Sequence, residues 1–584
     1  MAANKSKFKI KNSLVTCFKY VEPRRLNQLY IIVVLMLISA LFEVITIGSV
    51  VPLVATIIGG SVPSFISAIL GFLFIDVTSF DVSNSDLFVK IFIGFVILII
   101  LSTFFRLVAQ YGIIWYTNQI GFDLTNRSYG NILKQDYQFH VGTNSSEVIA
   151  TINKVQSLMN GVIAPVLQSI SSSIVAISIL VFLIVLNWKI AAVAFVLIAL
   201  TYLMISYIVR QRLDVNSAII AKAHSDRIKS VNEALGNIRE LILGDRQIKH
   251  YHSFLKTEIG LKDASVQNGF ISVAPKFLVE GIGIVVLLFT AFFLTSSGLN
   301  AIEVLPTIGA FAFATQKLLP ALQGIFQAWS KVSGNFKLIE DVLSFLTLRI
   351  NEKKPVRTET SEFKKLSFVN VCFHYDNGFE VLKDVNLEIN KGKVIGIVGE
   401  TGSGKSTFLD LLSQLTVPTS GKIYATDENG QELSQSGWQS TIAYVPQNPY
   451  FLDQSILNNI SLDDGPDNID MANIRSIVEV SQLSKVMDEL EAGIETIIGE
   501  RGAKLSGGQL QRISIARALY ADKQVLIFDE ATSALDHVTE RLLLSSLKKE
   551  FVDKTVIIIT HRSEALVFCN EIFKIENKEL KQIK

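Results

Sequence analysis

Hydrophobic positions along the 584-residue chain fall into two regimes. Through the first part they form long runs, at roughly 30–58, 87–116, 163–187, 189–210, 271–296 and 301–328, each near or above the ~20 residues that cross a bilayer. From about residue 366 the runs shorten to β-rich stretches such as KVIGIVG and VLIFD, separated by helical periodicity. The expected architecture is therefore an α-helical polytopic membrane domain of six transmembrane helices, followed by an α/β domain. The expected boundaries are a cytoplasmic N-terminal segment (1–29), a membrane domain (30–330), a linker (331–365) ending in NEKKPVRTETSEFKK, and the α/β domain (366–584).

Between the second and third runs, and between the fourth and fifth, lie two polar stretches, 117–160 and 211–270, with helical periodicity and no Gly/Pro clusters. They predict that the spanning helices continue beyond the headgroups, where twenty residues reach about 30 Å. The turning points DYQFHVGTNSSEV and LILGDRQIKHYHSF are the expected contacts with a cytoplasmic domain, and NWK marks a tight turn between the third and fourth spans.

Charge gives the orientation. Seven Lys and Arg precede the first span, eleven lie from Arg210 to Lys276, and none lies in 59–86, so the N-terminus, both polar extensions and the α/β domain are expected in the cytoplasm of an inner or plasma membrane. The net charge of +1 conceals an asymmetry: residues 1–350 carry 28 Lys+Arg against 19 Asp+Glu, and residues 351–584 carry 26 against 34. No basic face is evident, which argues against nucleic acid as a partner. The three cysteines, Cys17, Cys372 and Cys569, are too scattered for a disulfide framework or a metal site. The first apolar run is too long for a cleavable signal peptide and is expected to remain as a membrane anchor.

The chemistry is concentrated in the second half. A strand, a glycine loop and a helix start enclose G-x-x-x-x-G-K-S: Gly399, then Gly402, Ser403, Gly404, Lys405 and Ser406, followed by Thr407. Glycines let successive N–H groups converge on phosphate oxygens, the helix N-terminus adds partial positive charge, Lys405 reaches the terminal phosphates and Ser406 offers a hydroxyl to Mg²⁺. ATP and Mg²⁺ are the expected cofactors. In VLIFDEATSALD, Asp529 closes an apolar strand where it could hold Mg²⁺, and Glu530 is the candidate that polarises water.

With LSGGQ at 505–509 followed by LQRISIARAL, these motifs resemble the ATP-binding cassette of ABC transporters, and the whole chain is similar to an exporter-type half-transporter. The resemblance implies that Tyr375 stacks on adenine and that Gln447 senses Mg²⁺ and the coupling helices. It implies γ-phosphate contacts from Ser506, Gly507 and Gly508, with Gln509 completing the signature. Asp536 would couple two sites, His561 would meet the γ-phosphate, and GERG at 499–502 would face the coupling helices. Because the family's signature segment closes on a partner's nucleotide, a homodimer is expected; a soluble ABC ATPase and an ATP-gated channel are the alternatives from other classes.

Two features bear on the substrate. An apolar stripe from Val62 to Phe74 in the outer loop is too short to span, and Arg106, Lys276 and Lys317 fall in the inner-leaflet half of their runs. The cations suit an anionic headgroup, although snorkelling, or a Lys276–Glu280 pair, is the blander account. Glu43, inside the first run, is expected to be an interhelical partner. Stretches such as VEPRRLNQLY, APKFLVEGIG and QKLLPALQ are similar to flippases of lipid-linked oligosaccharides, so an amphiphilic polyprenyl-pyrophosphate saccharide is the expected substrate. Multidrug, lipid A-type and peptide export are the alternatives; Cys17 lies in a short basic tail rather than the peptidase domain that some peptide exporters carry.

Overall fold

The computed structural model describes residues 16–17, 19–58, 85–296, 301–348, 362–375, 378–462, 469–550 and 553–584. The outer-loop stripe at 62–74 and most of the charged linker lie outside these residues. The chain divides into two units: residues 1–135 with 139–350, and residues 351–584 with the short stretch 136–138.

The first unit is helical. Helix α1 (Pro23–Gly48) begins on a proline, whose missing N–H costs nothing in a first turn. It is followed by α2 (Val50–Ile58), the 49-residue α3 (Ser85–Leu133), α4 (Tyr137–Gly142) and α5 (Ser145–Leu158), which Asn144 caps by accepting from the Ser146 N–H. A π-helical turn at Met159–Ile163 leads into α6 (Ala164–Gly236). Asn187 breaks α6 with extended backbone, φ −158° and ψ 98°, at the turn that NWK predicts. Then come α7 (Ile238–Leu243), α8 (Gln247–Ser296) with Pro275 inside it, α9 (Ala301–Gly334) and α10 (Phe336–Leu346).

Among the described residues, five helical stretches are long and apolar enough to cross a membrane: Pro23–Val54, Ile91–Leu133, Ser145–Lys189, Ala191–Gly236 and Gln247–Val285. The sixth expected span falls on α9, whose first residues are only partly described. The four stretches that reach into 117–160 and 211–270 run well past the ~20 residues a bilayer needs, as the polar extensions there predict. Much of the apolar surface is uncovered by the chain itself, including Leu203, Met204 and Phe277, which suits hydrocarbon or a second chain as the solvent. Inside, small residues let helices approach closely: a Cβ at Gly324 would stand 2.6 Å from the Ser172 Oγ, and one at Gly334 2.6 Å from the Asn268 Nδ2. A buried bidentate pair, Arg25 to Asp123 at 2.8 and 2.9 Å, joins α1 to α3.

The second unit carries two sheets. A three-stranded antiparallel sheet has the order β2 (Glu380–Asn390), β1 (Phe363–His374), β4 (Ser420–Asp427). The six-stranded sheet runs β5 (Ile442–Val445), β6 (Val525–Asp529), β7 (Thr555–Ile559), β3 (Val394–Gly399), β8 (Glu571–Glu576), β9 (Glu579–Gln582). The first five are parallel and β9 returns antiparallel. Buried on both faces, β6 from Val525 to Phe528 and β7 from Val556 to Ile559 are continuously apolar where a half-exposed strand would alternate. Adjacency of β6, β7 and β3 aligns their carboxyl ends, so the residues that follow each strand meet at one edge.

Candidate functional site

The glycine loop after β3 turns sharply into α11 (Lys405–Leu412). Gly402 and Gly404 have φ +82° and +103°, and a Cβ at Gly404 would lie 2.8 Å from Val381, so conformation and space both exclude a side chain there. Lys405 folds back to donate from Nζ to the Gly399 and Glu400 carbonyls at 2.8 and 2.9 Å. Burial pushes its pKa down, opposed by the charges of Glu530 and Asp529. The Tyr375 ring is half exposed, and its hydroxyl lies 2.9 Å from the Thr407 Oγ1, tying the aromatic to the first turn of α11.

At the end of β6 the chain turns through Glu530, a non-glycine residue at φ 48° whose N–H donates to the Ile559 carbonyl of β7 at 2.9 Å. This places the carboxylate between two donors. The Gln447 Nε2 donates to it at 2.6 Å, and the His561 Nε2 lies 3.1 Å away, an ion pair when the imidazole is protonated. Three residues far apart in sequence therefore meet on one carboxylate. Asp529 beside it accepts from the Tyr444 hydroxyl at 2.9 Å. Burial raises the Asp529 pKa, the Tyr444 hydrogen bond lowers it, Glu530 raises it and Lys405 lowers it. Burial, with the Asp529 charge added, raises Asp410 on α11 to about 6.

The signature segment opens α16 (Gly507–Tyr520); the intervening helices of this unit are α12 (Gln435–Ser440), α13 (Ile456–Ile460), α14 (Met471–Val480) and α15 (Ser484–Glu489). Ser506 and Gln509 form a reciprocal capping box: the Gln509 N–H donates to the Ser506 Oγ at 3.3 Å, and the Ser506 N–H to the Gln509 Oε1 at 2.8 Å. The glycine at 508 follows from crowding, since a Cβ would come within 2.9 Å of the Ala534 carbonyl. Asp536 accepts from the N–H groups of Val538 and Thr539 and from the Thr539 hydroxyl, which hold its pKa below the usual carboxylate range.

Sequence patterns missed three supporting elements. Tyr444 sits three positions before Gln447, and its role depends on β5 pairing with β6. Glu540, buried on α17 (His537–Glu550), accepts from Thr532 at 2.6 Å and from Arg562 at 3.0 Å; Arg562 also donates to the Ser533 and Leu535 carbonyls, fixing the segment that ends at Asp536. Arg517 donates to the Tyr450 and Asn459 carbonyls and stacks on Phe451 at 5.0 Å, linking α16 to the segment after Gln447. The remaining short helix is α18 (Ser563–Leu566).

In the membrane unit the three cations separate. Lys317 on α9 is not a free cation: its Nζ lies 3.5 Å from the Glu43 Oε1 of α1, and Glu43 is only 6% exposed. Glu43 is the interhelical partner expected of it, and a buried carboxylate needs that cation. Arg106 and Lys276 are exposed on α3 and α8, and neither has an ion-pair partner among the described residues. The Lys276–Glu280 pair does not form.

Residues 49–315 match the family described as the ABC transporter transmembrane region, and residues 382–533 match the family described as ABC transporter. The heterocyst differentiation ATP-binding protein HepA of Nostoc sp. is 28% identical over 494 residues, 82% of this chain and 79% of that one. The alpha-hemolysin translocation ATP-binding protein HlyB of Escherichia coli O157:H7 is 28% identical, covering 83% and 68%. The ATP-dependent lipid A-core flippase of Ralstonia nicotianae is 26% identical, covering 81% of each. The solved structure of a bacterial Atm1-family ABC exporter with ATP bound superposes with a TM-score of 0.75 at 19% identity, over 95% of this chain and 94% of that one. With a transporter membrane region and an ATP-binding cassette joined in one polypeptide, the chain belongs to the ABC transporters, as an exporter-type half-transporter that couples ATP hydrolysis to movement across a membrane.

Proposed function

We propose that this transporter works as a homodimer in a bacterial cytoplasmic membrane, moving a lipid-linked oligosaccharide of polyprenyl-pyrophosphate type from the inner to the outer leaflet. The observation that carries the substrate reading is Arg106: an exposed guanidinium without an ion-pair partner among the described residues, inside the apolar stretch Ile91–Leu133. An unpaired cation at that depth is costly unless it meets water or an anion. A pyrophosphate supplies the anion in bidentate form. Lys276 is the second candidate contact, and the pairing with Glu43 assigns Lys317 to holding α1 against α9.

In the cassette, the glycine loop and Lys405 cradle the ATP phosphates, Tyr375 stacks on the base, and the partner's signature segment closes over the nucleotide. Ser406, Asp529 and Gln447 offer hard oxygen ligands that suit Mg²⁺, which when bound neutralises charge on the phosphates. Among the described residues no group of three or more His, Cys, Asp or Glu could hold a metal unaided, so the nucleotide itself would complete the shell. Glu530 orients and polarises the attacking water, held by Gln447 and His561. Closure and release of the cassettes drive alternating access in the membrane domain.

The test is ATP-dependent translocation in proteoliposomes, comparing a polyprenyl-pyrophosphate saccharide with lipid A and with a hydrophobic drug. Arg106→Gln is expected to slow the first substrate at least tenfold. Wild-type rates in that variant, or transport indifferent to the charge of the headgroup, would overturn the assignment.

A further inference from the structure

One depression in the membrane unit is unlike the apolar surface around it. It has a volume of about 220 Å³, and beside an apolar wall that includes Ile113, Ile114 and Pro165 its lining carries five polar side chains, those of Gln110, Asn160, Gln168, Gln327 and Lys331. None of the four carboxamides, nor the ammonium, hydrogen-bonds through its side chain to the protein among the described residues, and the lining contains no carboxylate. The π-helical turn at Met159–Ile163 explains part of the convergence. Eight α-helical steps rotate by about 80° beyond two full turns, whereas one inserted residue leaves seven effective steps, about 20° short of two turns. Asn160 and Gln168 therefore share a face. Gln327 and Lys331 are one turn apart on α9, and Gln110 lies one turn from Arg106 on α3.

Four uncommitted carboxamides offer paired donors and acceptors, which match vicinal hydroxyl groups and leave an apolar ligand with nothing to satisfy them. The volume falls below the ~300 Å³ at the lower end of drug-sized sites and suits a single ring. We propose that this depression recognises the first sugar of the headgroup, with Arg106 one turn away on the phosphate. The inference rests on the lipid-linked saccharide reading. A peptide would also satisfy carboxamides, but with no acidic side chain in the lining its cationic groups would go unpaired.

The experiment uses the full chain in lipid nanodiscs and proteoliposomes with the Gln168→Leu/Gln327→Leu pair, and separately Gln110→Leu. The readout is the ratio of the rate for a glycosylated polyprenyl pyrophosphate to that for the bare polyprenyl pyrophosphate, so a general loss of folded protein cancels. Loss of two to three hydrogen bonds predicts a roughly tenfold fall in that ratio. An unchanged ratio in both variants overturns the proposal. If wild-type protein moves neither pyrophosphate lipid, a phosphate-free polyprenyl glycoside separates the two ideas. Stimulation of ATPase by that glycoside that falls about tenfold in the variants supports the sugar site while the pyrophosphate reading falls. Dependence of a peptide's stimulation on the same residues, with none for any glycoside, overturns the sugar site.

Discussion

Glu530→Gln isolates the proton-accepting role of one carboxylate, because both of its partners can reverse their polarity. Gln447 donates at 2.6 Å and His561 lies 3.1 Å away. A glutamine at 530 keeps one acceptor oxygen and gains an NH₂; Gln447 can turn its carboxamide to present oxygen, and a neutral imidazole can present a bare nitrogen. The backbone at φ 48° is shared by Glu and Gln, so no new strain enters. What disappears is the negative charge and the capacity to take a proton. General-base removal costs about 10²–10⁴ in rate, or about 3–5 kcal/mol in the barrier. ATP affinity should hold or rise, since a carboxylate facing the polyphosphate is gone. Phosphate release and nucleotide retention, measured together in nanodiscs, should show turnover at least a hundredfold down with ATP trapped. Glu530→Ala, which strands both donors, should lose nucleotide retention as well. Turnover within twofold of wild type in Glu530→Gln would refute the assignment of the base.

Lys317→Met should destabilise the membrane unit by about 2 kcal/mol, because it strands the buried Glu43 beside a partly exposed site, and adding Glu43→Gln should recover most of the loss; thermal unfolding in detergent checks both, and no recovery would show that the pair is not the reason. Asp410→Asn tests a raised carboxylate: its folded pKa of about 6 exceeds the unfolded value of 3.8, so the folded state binds the extra proton and stability rises as pH falls from above 6 towards 3.8. The substitution should raise the thermal midpoint of nucleotide-free protein at pH 7.5, with the gain shrinking between pH 6 and 4; a gain constant with pH would contradict it. Co-expressed Lys405→Ala and Ser506→Arg chains should regain ATPase in the mixed dimer relative to either parent. ATPase and nucleotide trapping at parental levels on both chains would mean that the sites are not shared.

What the sequence showed was local. The glycine loop, the strand ending in Asp529 and Glu530, and the NWK break each occupy consecutive residues, where a motif and its conformation coincide. Tyr444 on Asp529 was not legible, because it depends on the order of strands in the sheet and not on any spacing within the chain. The same holds for Arg562 and Glu540, joined across the turn that ends at Asp536. The Lys317–Glu43 pair was not legible for a related reason. Depth along a helix can be counted from sequence, but the face it presents depends on which helix packs against it, and α1 brings Glu43. The π-helical turn leaves no composition signature, so the face shared by Asn160 and Gln168 could not be seen before the backbone was.

Pro275 gives α8 a mechanical character. The polar arm from Gln247 to Pro275 is about 42 Å long at ~1.5 Å per residue, and the proline deletes one backbone hydrogen bond where that arm meets the apolar segment. A beam softened at one point bends there first. A swing of about 7° about that point carries the far end of the arm about 5 Å, close to the ~5.4 Å pitch of one helical turn. Such a joint would convert small angular work into a stroke large enough to exchange one set of side-chain contacts for the next, and Pro275→Ala should stiffen that stroke without touching the ATP site.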